Sequence, residues 1–285
     1  VKESSKVSHF IKKNNFIDNI IYLERDNKSG RHDGIYGSLS LIKDLKKYKF
    51  DRVFIFNSSL RFNLISRFAK IKKIHQYPLF EKKNQHIINS AKNFLSKELS
   101  LNVESNPEIF LDKNDVEHVK NKFKINTNET NILLGIGGSG KTKRIPFEII
   151  IKFMKMASDS YNCKFFLATG KNVEEQNILN KILTSEFKNK CIPLDNIELT
   201  DTLPIIKNCK VSICNDTSFS HLSAALGIQT IVLMADTPLL YGSYSPKMHP
   251  ILPEGESTVT HDTLGKDKID PKKIFNKMQK ILDLN

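Results

Sequence analysis

Residues 131–158 read NILLGIGGSGKTKRIPFEIIIKFMKMAS, and the fold class turns on how that stretch divides. The run NILLGI is continuously apolar and bounded by glycine, as expected of a strand buried on both faces. The glycine-rich segment 137–142 cannot prolong it. From Phe147 the apolar residues recur with helical period as far as residue 158, and Pro146 suits the first helical position, where a missing N–H would be unpaired anyway. Strand 131–136, loop and helix 147–158 therefore make one βα unit. The pattern repeats downstream as strand 164–168, helix 173–184, short strand 191–193, helix 200–208, strand 211–214, helix 218–226 and strand 230–234. Such alternation predicts an α/β fold with a parallel, doubly wound sheet and a ligand at the carboxyl ends of its strands.

Upstream the reading is helix 39–47, strand 53–56, helix 60–70 and strand 72–77, with an earlier strand at 20–23. A stretch with little periodicity, 98–114, contains Pro107; it and the polar segment 122–130 bracket a helix at 115–123. These breaks place a domain boundary near residue 124, giving domains 1–124 and 125–285, a division that suits 285 residues.

Charge is unevenly shared between them. Residues 1–124 hold 25 basic and 14 acidic side chains, residues 125–285 hold 19 and 17, and the whole chain carries +13. A basic first half implies an anionic partner: a phosphorylated glycolipid, a membrane surface or nucleic acid. Nucleic acid is the least favoured, because no recognised binding module is present and the aromatic residues follow the apolar pattern. No run approaches the ~18 to 20 apolar residues of a membrane span, and the first residues lack a secretory signal's apolar core, so a cytoplasmic location is expected. The four cysteines, Cys163, Cys191, Cys209 and Cys214, form no C-x-x-C pair. Buried free thiols are expected, and no metal site.

Two segments carry chemistry. Residues 135–142, GIGGSGKT, satisfy the G-x-x-x-x-G-K-[ST] pattern, in which backbone N–H groups and a lysine cradle nucleotide phosphates. In that architecture a helix opens directly after Lys141 and Thr142, which puts Pro146 in its second turn at a cost of about 3 kcal/mol. A loop running on to Arg144, with the helix starting at Pro146, keeps phosphate binding and discards the P-loop. An NTPase using Lys141 and Thr142, with Asp216 near Mg2+, stands as the alternative. The second segment is NDTSFSHLSAALG, residues 215–227, immediately after a strand. Asp216, Thr217 and Ser218 fall where a helix begins, so hydroxyls and free N–H groups can meet a phosphate, and His221 lies one turn further. Two strand–loop–helix units, one bearing Lys143 and the other His221, point to one phosphate-bearing ligand.

With these motifs the sequence resembles glycosyltransferase family 9, the ADP-heptose:lipopolysaccharide heptosyltransferases. GGSGKTKRIP (137–146) is similar to the family's small-residue loop ending in Lys-Arg-Trp-Pro, and NDTSFSHLSAALG to its Asn-Asp-Thr-Gly-x-x-His-Leu block. ADTPLLYGSYSP (235–246) is similar to the family's segment before the C-terminal helix, and 44–70 more weakly to its N-terminal half. The resemblance implies a GT-B fold, two Rossmann-like domains with parallel sheets facing across a cleft, the first for an acceptor and the second for a nucleotide sugar. Carried over by motif, Gly138, Ser139, Lys143, Asp216, Thr217, Ser218 and His221 bind the nucleotide sugar, and Arg61 is a weaker acceptor-side candidate. The implied reaction moves heptose from ADP-heptose to a lipopolysaccharide-core or related anionic glycolipid, with inversion, by a monomer at the inner membrane face. No metal or other cofactor is expected.

Ser218 stands where the family has glycine, and Ile145 where it has tryptophan. Family members also open with a strand, a glycine-bearing loop and a helix, the loop supplying the presumed general base. VKESSKVSHF reads instead as the second strand onward, so the opening unit is expected to be missing, through truncation or degeneration. Asp18, Asp26 and Asp33 lie outside the expected strand–loop–helix setting. No catalytic base is assigned, and a non-catalytic nucleotide-sugar-binding relative is a third reading.

Overall fold

The computed structural model describes residues 16–25, 30–77, 86–138 and 140–284; Asp26 and Ser139 lie outside them. The chain divides into two compact units, Val1–Ser105 and Asn106–Asn285.

The first unit runs α1 (Gly34–Tyr48), β1 (Arg52–Ile55), α2 (Leu60–Phe68), β2 (Lys73–Gln76) and α3 (Ile87–Leu99). β1 and β2 pair in parallel with Arg52 opposite Lys73. Phe94 of α3 is buried and meets the rings of Phe54, Phe56 and Tyr77 edge-on, at centroid distances of 6.2, 5.5 and 5.0 Å. Among the described residues the expected strand at 20–23 shows a single bridge, at Leu23. A short apolar run does not by itself specify a strand, since pairing must come from a partner. Helix α3, which the sequence reading passes over, places Ile88, Ala91, Phe94 and Leu95 at helical spacing.

The second unit begins earlier than residue 124. Helix α4 (Lys113–Lys122) packs on α7 (Leu199–Lys207). Lys122 Nζ is paired with Asp201 Oδ2 at 2.6 Å, and Asn208 Nδ2 donates to the carbonyl of Val116 at 3.2 Å. These tertiary contacts move the boundary to Ser105.

The remaining elements are β3 (Thr130–Gly135), α5 (Phe147–Ser160), β4 (Cys163–Ala168), α6 (Val173–Leu183), β5 (Cys191–Pro193), β6 (Val211–Asn215), α8 (Ser218–Ala225), β7 (Thr230–Leu233), β8 (Met248–Ile251) and α9 (Pro271–Asp283). Six strands form one parallel sheet in the order β5-β4-β3-β6-β7-β8. That is the doubly wound dinucleotide-fold order, in which the direction of strand addition reverses between β3 and β6 while every strand stays parallel. β3 and β6 are buried along their whole length, in keeping with their mostly apolar residues. On one face Ile132, Leu134, Phe165, Leu167, Ile213 and Ile231 pack with Phe153 and Met154 of α5 and Ile274 and Met278 of α9.

β8 was not expected from the sequence, because Pro250 interrupts it. Its place at the sheet edge makes that proline tolerable. Local signals end the helices sharply: Asn172 caps α6 by accepting from Glu175 N at 3.0 Å, and Asp270 caps α9, with Pro271 at the first helical position. Each cap stabilises its helix by about 1 kcal/mol. Pro146 precedes α5 as its N-cap residue.

All four cysteines are free, with Cys163, Cys209 and Cys214 buried. Burial pushes the Cys163 thiol up to about 11 and those of Cys191 and Cys214 up to about 12. Among the described residues no group of three or more His, Cys, Asp or Glu is placed to hold a metal ion. Nor is any helix among them long and apolar enough to cross a membrane.

Candidate functional site

The loops that leave β3 and β6 meet at the switch point of the sheet. They can approach because Gly135, the last residue of β3, lies opposite Cys214. A Cβ at Gly135 would stand 2.7 Å from the Cys214 sulfur. At the end of β6 the buried Asn215 turns its side chain across the gap, where Nδ2 donates to the carbonyls of Ile136 at 3.1 Å and Gly137 at 3.0 Å. One amide thus holds both loop stems in register.

After Gly138 the chain passes through a short 3-10 turn, Lys141–Lys143, and then Arg144 before α5 begins. The turn sends the two lysines to different partners. Lys141, with 80% of its side chain exposed, pairs with Glu174 at 3.0 Å. Lys143, only 24% exposed, places Nζ 3.0 Å from Oδ2 of Asp216, a carboxylate 7% exposed. No helix opens behind Lys141 and Thr142, so the phosphate-cradling geometry of a P-loop is not built here. The cost of Pro146 inside a helix is thereby avoided.

Asp216 faces a lysine and a histidine. Its Oδ2 meets Lys143, and its Oδ1 lies 3.8 Å from Nε2 of His221, beyond hydrogen-bond reach. Nδ1 of His221 shares a 2.8 Å hydrogen bond with the Tyr244 hydroxyl, and the two rings stack with centroids 5.6 Å apart. Burial lowers the His221 pKa, Asp216 opposes that shift and Lys143 adds to it. Burial, with the Asp216 charge, pushes the Tyr244 phenol up to about 12. At neutral pH the pair is therefore an uncharged imidazole beside a protonated phenol. A proton on Nε2, facing the carboxylate, leaves Nδ1 to accept from the phenol.

Thr217 is the N-cap residue of α8, yet its side chain makes no capping hydrogen bond. Its Oγ1 is buried without a partner among the described residues. A buried hydroxyl left unpaired costs of order 1–3 kcal/mol; Thr217 is one of several among the described residues, and it is set apart by its place at a helix start beside Asp216. Ser218 is exposed at the first helical position. The structure therefore gathers Lys143, Asp216, Thr217, Ser218 and His221 at one end of β6. Gly138 lies in the facing loop, and Ser139 falls outside the described residues.

Two participants, Tyr244 and Glu175, carry no short-range sequence signal. Tyr244 meets His221 across 23 residues, and Glu175 accepts from Gly138 N across 37. Arg144 donates to the Gly138 carbonyl at 2.7 Å and pairs with Glu174. In the first unit, Arg61 donates through Nη2 to the carbonyl of His32 at 2.6 Å and through Nε to Ser38 Oγ at 3.0 Å. Those bonds anchor the turn that starts α1.

A parallel doubly wound sheet with a basic loop and a helix start meeting at its switch point defines the nucleotide-binding class of α/β proteins. A family model described as glycosyltransferase family 9 (heptosyltransferase) matches residues 38–263, and the chain belongs to that family of enzymes. No curated protein matches the sequence. Among solved structures, ADP-heptose lps heptosyltransferase II of E. coli is similar at 19% identity and TM-score 0.70, over 97% of this chain and 86% of that one. A glycosyl transferase family 9 protein of Veillonella parvula is similar at 17% identity and TM-score 0.74, over 99% and 87%. E. coli heptosyltransferase WaaC, solved with ADP, is similar at 16% identity and TM-score 0.61, over 86% and 77%. The fold is accordingly the GT-B fold of these heptosyltransferases.

Proposed function

We propose that the protein transfers heptose from ADP-heptose to a lipopolysaccharide-core or related anionic glycolipid, with inversion at the anomeric carbon and without a metal. The observation that carries this reading is the cluster of Lys143, Asp216 and His221 beside the unpaired Thr217 hydroxyl at the start of α8. In such a transfer the bond from the anomeric carbon to the diphosphate oxygen breaks as the acceptor oxygen bonds to the carbon. Negative charge grows on the leaving diphosphate. Lys143, the Thr217 hydroxyl and the N–H groups opening α8 stabilise that charge in place of a cation. Asp216, a carboxylate, repels phosphate; its part is to hold Lys143 and to accept from a sugar hydroxyl. No residue is assigned as the base.

The names of similar structures support the donor: one is an ADP-heptose heptosyltransferase, and another was solved with ADP and with ADP-2-deoxy-2-fluoro heptose. The excess of basic over acidic residues in 1–124 supports an anionic acceptor, met by a monomer on the cytoplasmic face of the inner membrane. Arg61 joins the acceptor side through whatever donor capacity its turn-anchoring bonds leave.

Calorimetric titration with ADP, ADP-heptose and Mg-ATP tests the reading. Wild type should bind ADP and ADP-heptose equally well with EDTA present, and His221→Ala should bind both more weakly. Binding of Mg-ATP alone, indifferent to His221, would establish the NTPase instead. Donor binding without transfer to a lipopolysaccharide-core acceptor would mark a nucleotide-sugar-binding protein that does not catalyse.

A further inference from the structure

The Gly138 peptide is held from both sides by charged groups, Arg144 of its own loop and Glu175 from outside the sequence motifs. Its N–H donates to Oε1 of Glu175 at 2.5 Å, and its carbonyl accepts from Nη1 of Arg144 at 2.7 Å. Glu175 is 5% exposed. It stands three residues after the Asn172 cap of α6, the position from which a glutamate ordinarily reaches back to its own cap's N–H. Here the carboxylate turns instead to a different loop. Two glycines make room for it: a Cβ at Gly137 would stand 3.0 Å from Oε1, and one at Gly170 would clash with Oε2 well inside van der Waals contact.

We propose that Glu175 is a positioning residue that sets the donor-binding loop. By accepting from Gly138 it fixes that peptide's orientation and presents the carbonyl to Arg144. Arg144 directly follows Lys143, so anchoring its guanidinium fixes the backbone from which Lys143 reaches Asp216 and the donor phosphates. The inference rests on the donor-site reading above, and Glu175 itself touches no phosphate: a carboxylate there would repel one.

The full chain tests this with ADP as probe. Glu175→Ala should weaken ADP binding roughly tenfold to a hundredfold, the range for a lost hydrogen bond to a charged group, and raise KM for the donor more than it lowers kcat. Glu175→Gln keeps an acceptor oxygen for Gly138 and should recover most of the affinity. A purely structural role would lower the melting temperature of both variants without this graded rescue. Should Glu175→Ala fail to fold, Gly170→Ala displaces the carboxylate while keeping it, and should reproduce the loss. Unchanged ADP affinity in Glu175→Ala or in Gly170→Ala overturns the proposal. Amide exchange at Gly138 separates it from the donor reading: protection should be present in wild type and lost in Glu175→Ala. If wild type binds no ADP, the donor reading falls, and equal exchange in both proteins overturns the clamp as well.

Discussion

Each unit places a histidine, an aspartate and a cationic side chain around the start of a helix, and the two clusters are finished differently. Ahead of α1, Asp33 accepts from Arg25 Nε at 2.8 Å and from Gly30 N at 3.0 Å. The buried His32 accepts from Glu24 N through Nδ1 at 2.9 Å, and its Nε2 lies 3.2 Å from Asp44, which also binds Arg31 at 2.7 Å. Polar groups there satisfy one another within the turn. Ahead of α8, Asp216 and His221 stand 3.8 Å apart and the Thr217 hydroxyl is buried without a partner among the described residues. Saturated polar groups build structure, whereas groups held apart and left unsatisfied mark where something else binds. The same comparison gives Asp33 a structural part.

The sharpest break of that contrast is at the lysines. Lys143→Ala should weaken ADP binding by roughly tenfold to a hundredfold, the loss of a charge-assisted contact worth about 1.5–3 kcal/mol. Lys141→Ala should change it by no more than about twofold, since exposed pairs such as Lys141–Glu174 contribute little. Isothermal titration decides, and the reverse order would move the site to the P-loop reading.

In the first unit the cost should fall on stability. Asp44→Asn should lower unfolding free energy at pH 7 by about 1–2 kcal/mol while leaving ADP affinity unchanged. The hydrogen bond from Arg31 holds the Asp44 carboxyl well below its ordinary value of 3.8. A carboxylate depressed in the folded state contributes stability that is complete above the unfolded value and lost as pH falls through the folded one. Urea titrations of wild type and variant should therefore converge below pH 3.8. A constant gap there would show that the carboxylate's charge does not matter.

The smallest effect belongs to His221. Burial lowers its folded pKa below 6.5, so the unfolded chain takes up this proton first. The neutral imidazole's contribution is present above 6.5 and lost as pH falls toward the folded value. His221→Asn should flatten the melting-temperature profile just below pH 6.5 relative to wild type; identical slopes would mean the ring is not desolvated.

The second unit was largely legible because its signals are local. Apolar runs mark β3, β4, β6 and β7, and Asn172, Asp270 and Pro271 mark helix starts. Where signals conflict, the reading failed: Pro250 hid an edge strand, and an apolar run at 20–23 suggested a strand where the described residues show a single bridge. The boundary near 124 failed for a different reason, since α4 belongs to the second unit through contacts with α7 that no segment of sequence contains. Within the site, Lys143, Asp216, Thr217, Ser218 and His221 were visible as residues of two motifs. Tyr244 and Glu175 as partners were not, because their bonds join separate strand–loop–helix units, and neither was the pairing of Arg144 with Glu174.

What the sequence alone determined was the succession of buried strands and capped helices, together with the two loops that carry polar chemistry, for both depend on periodicity and on residues a few positions apart. Only the tertiary structure decided which lysine faces Asp216, which carboxylate holds Gly138 and that the Thr217 hydroxyl is left uncapped at its helix start. Those choices depend on the 3-10 turn at Lys141–Lys143 and on the β3–β6 register. A side chain only a few ångströms long finds its partner according to where the sheet sets its backbone.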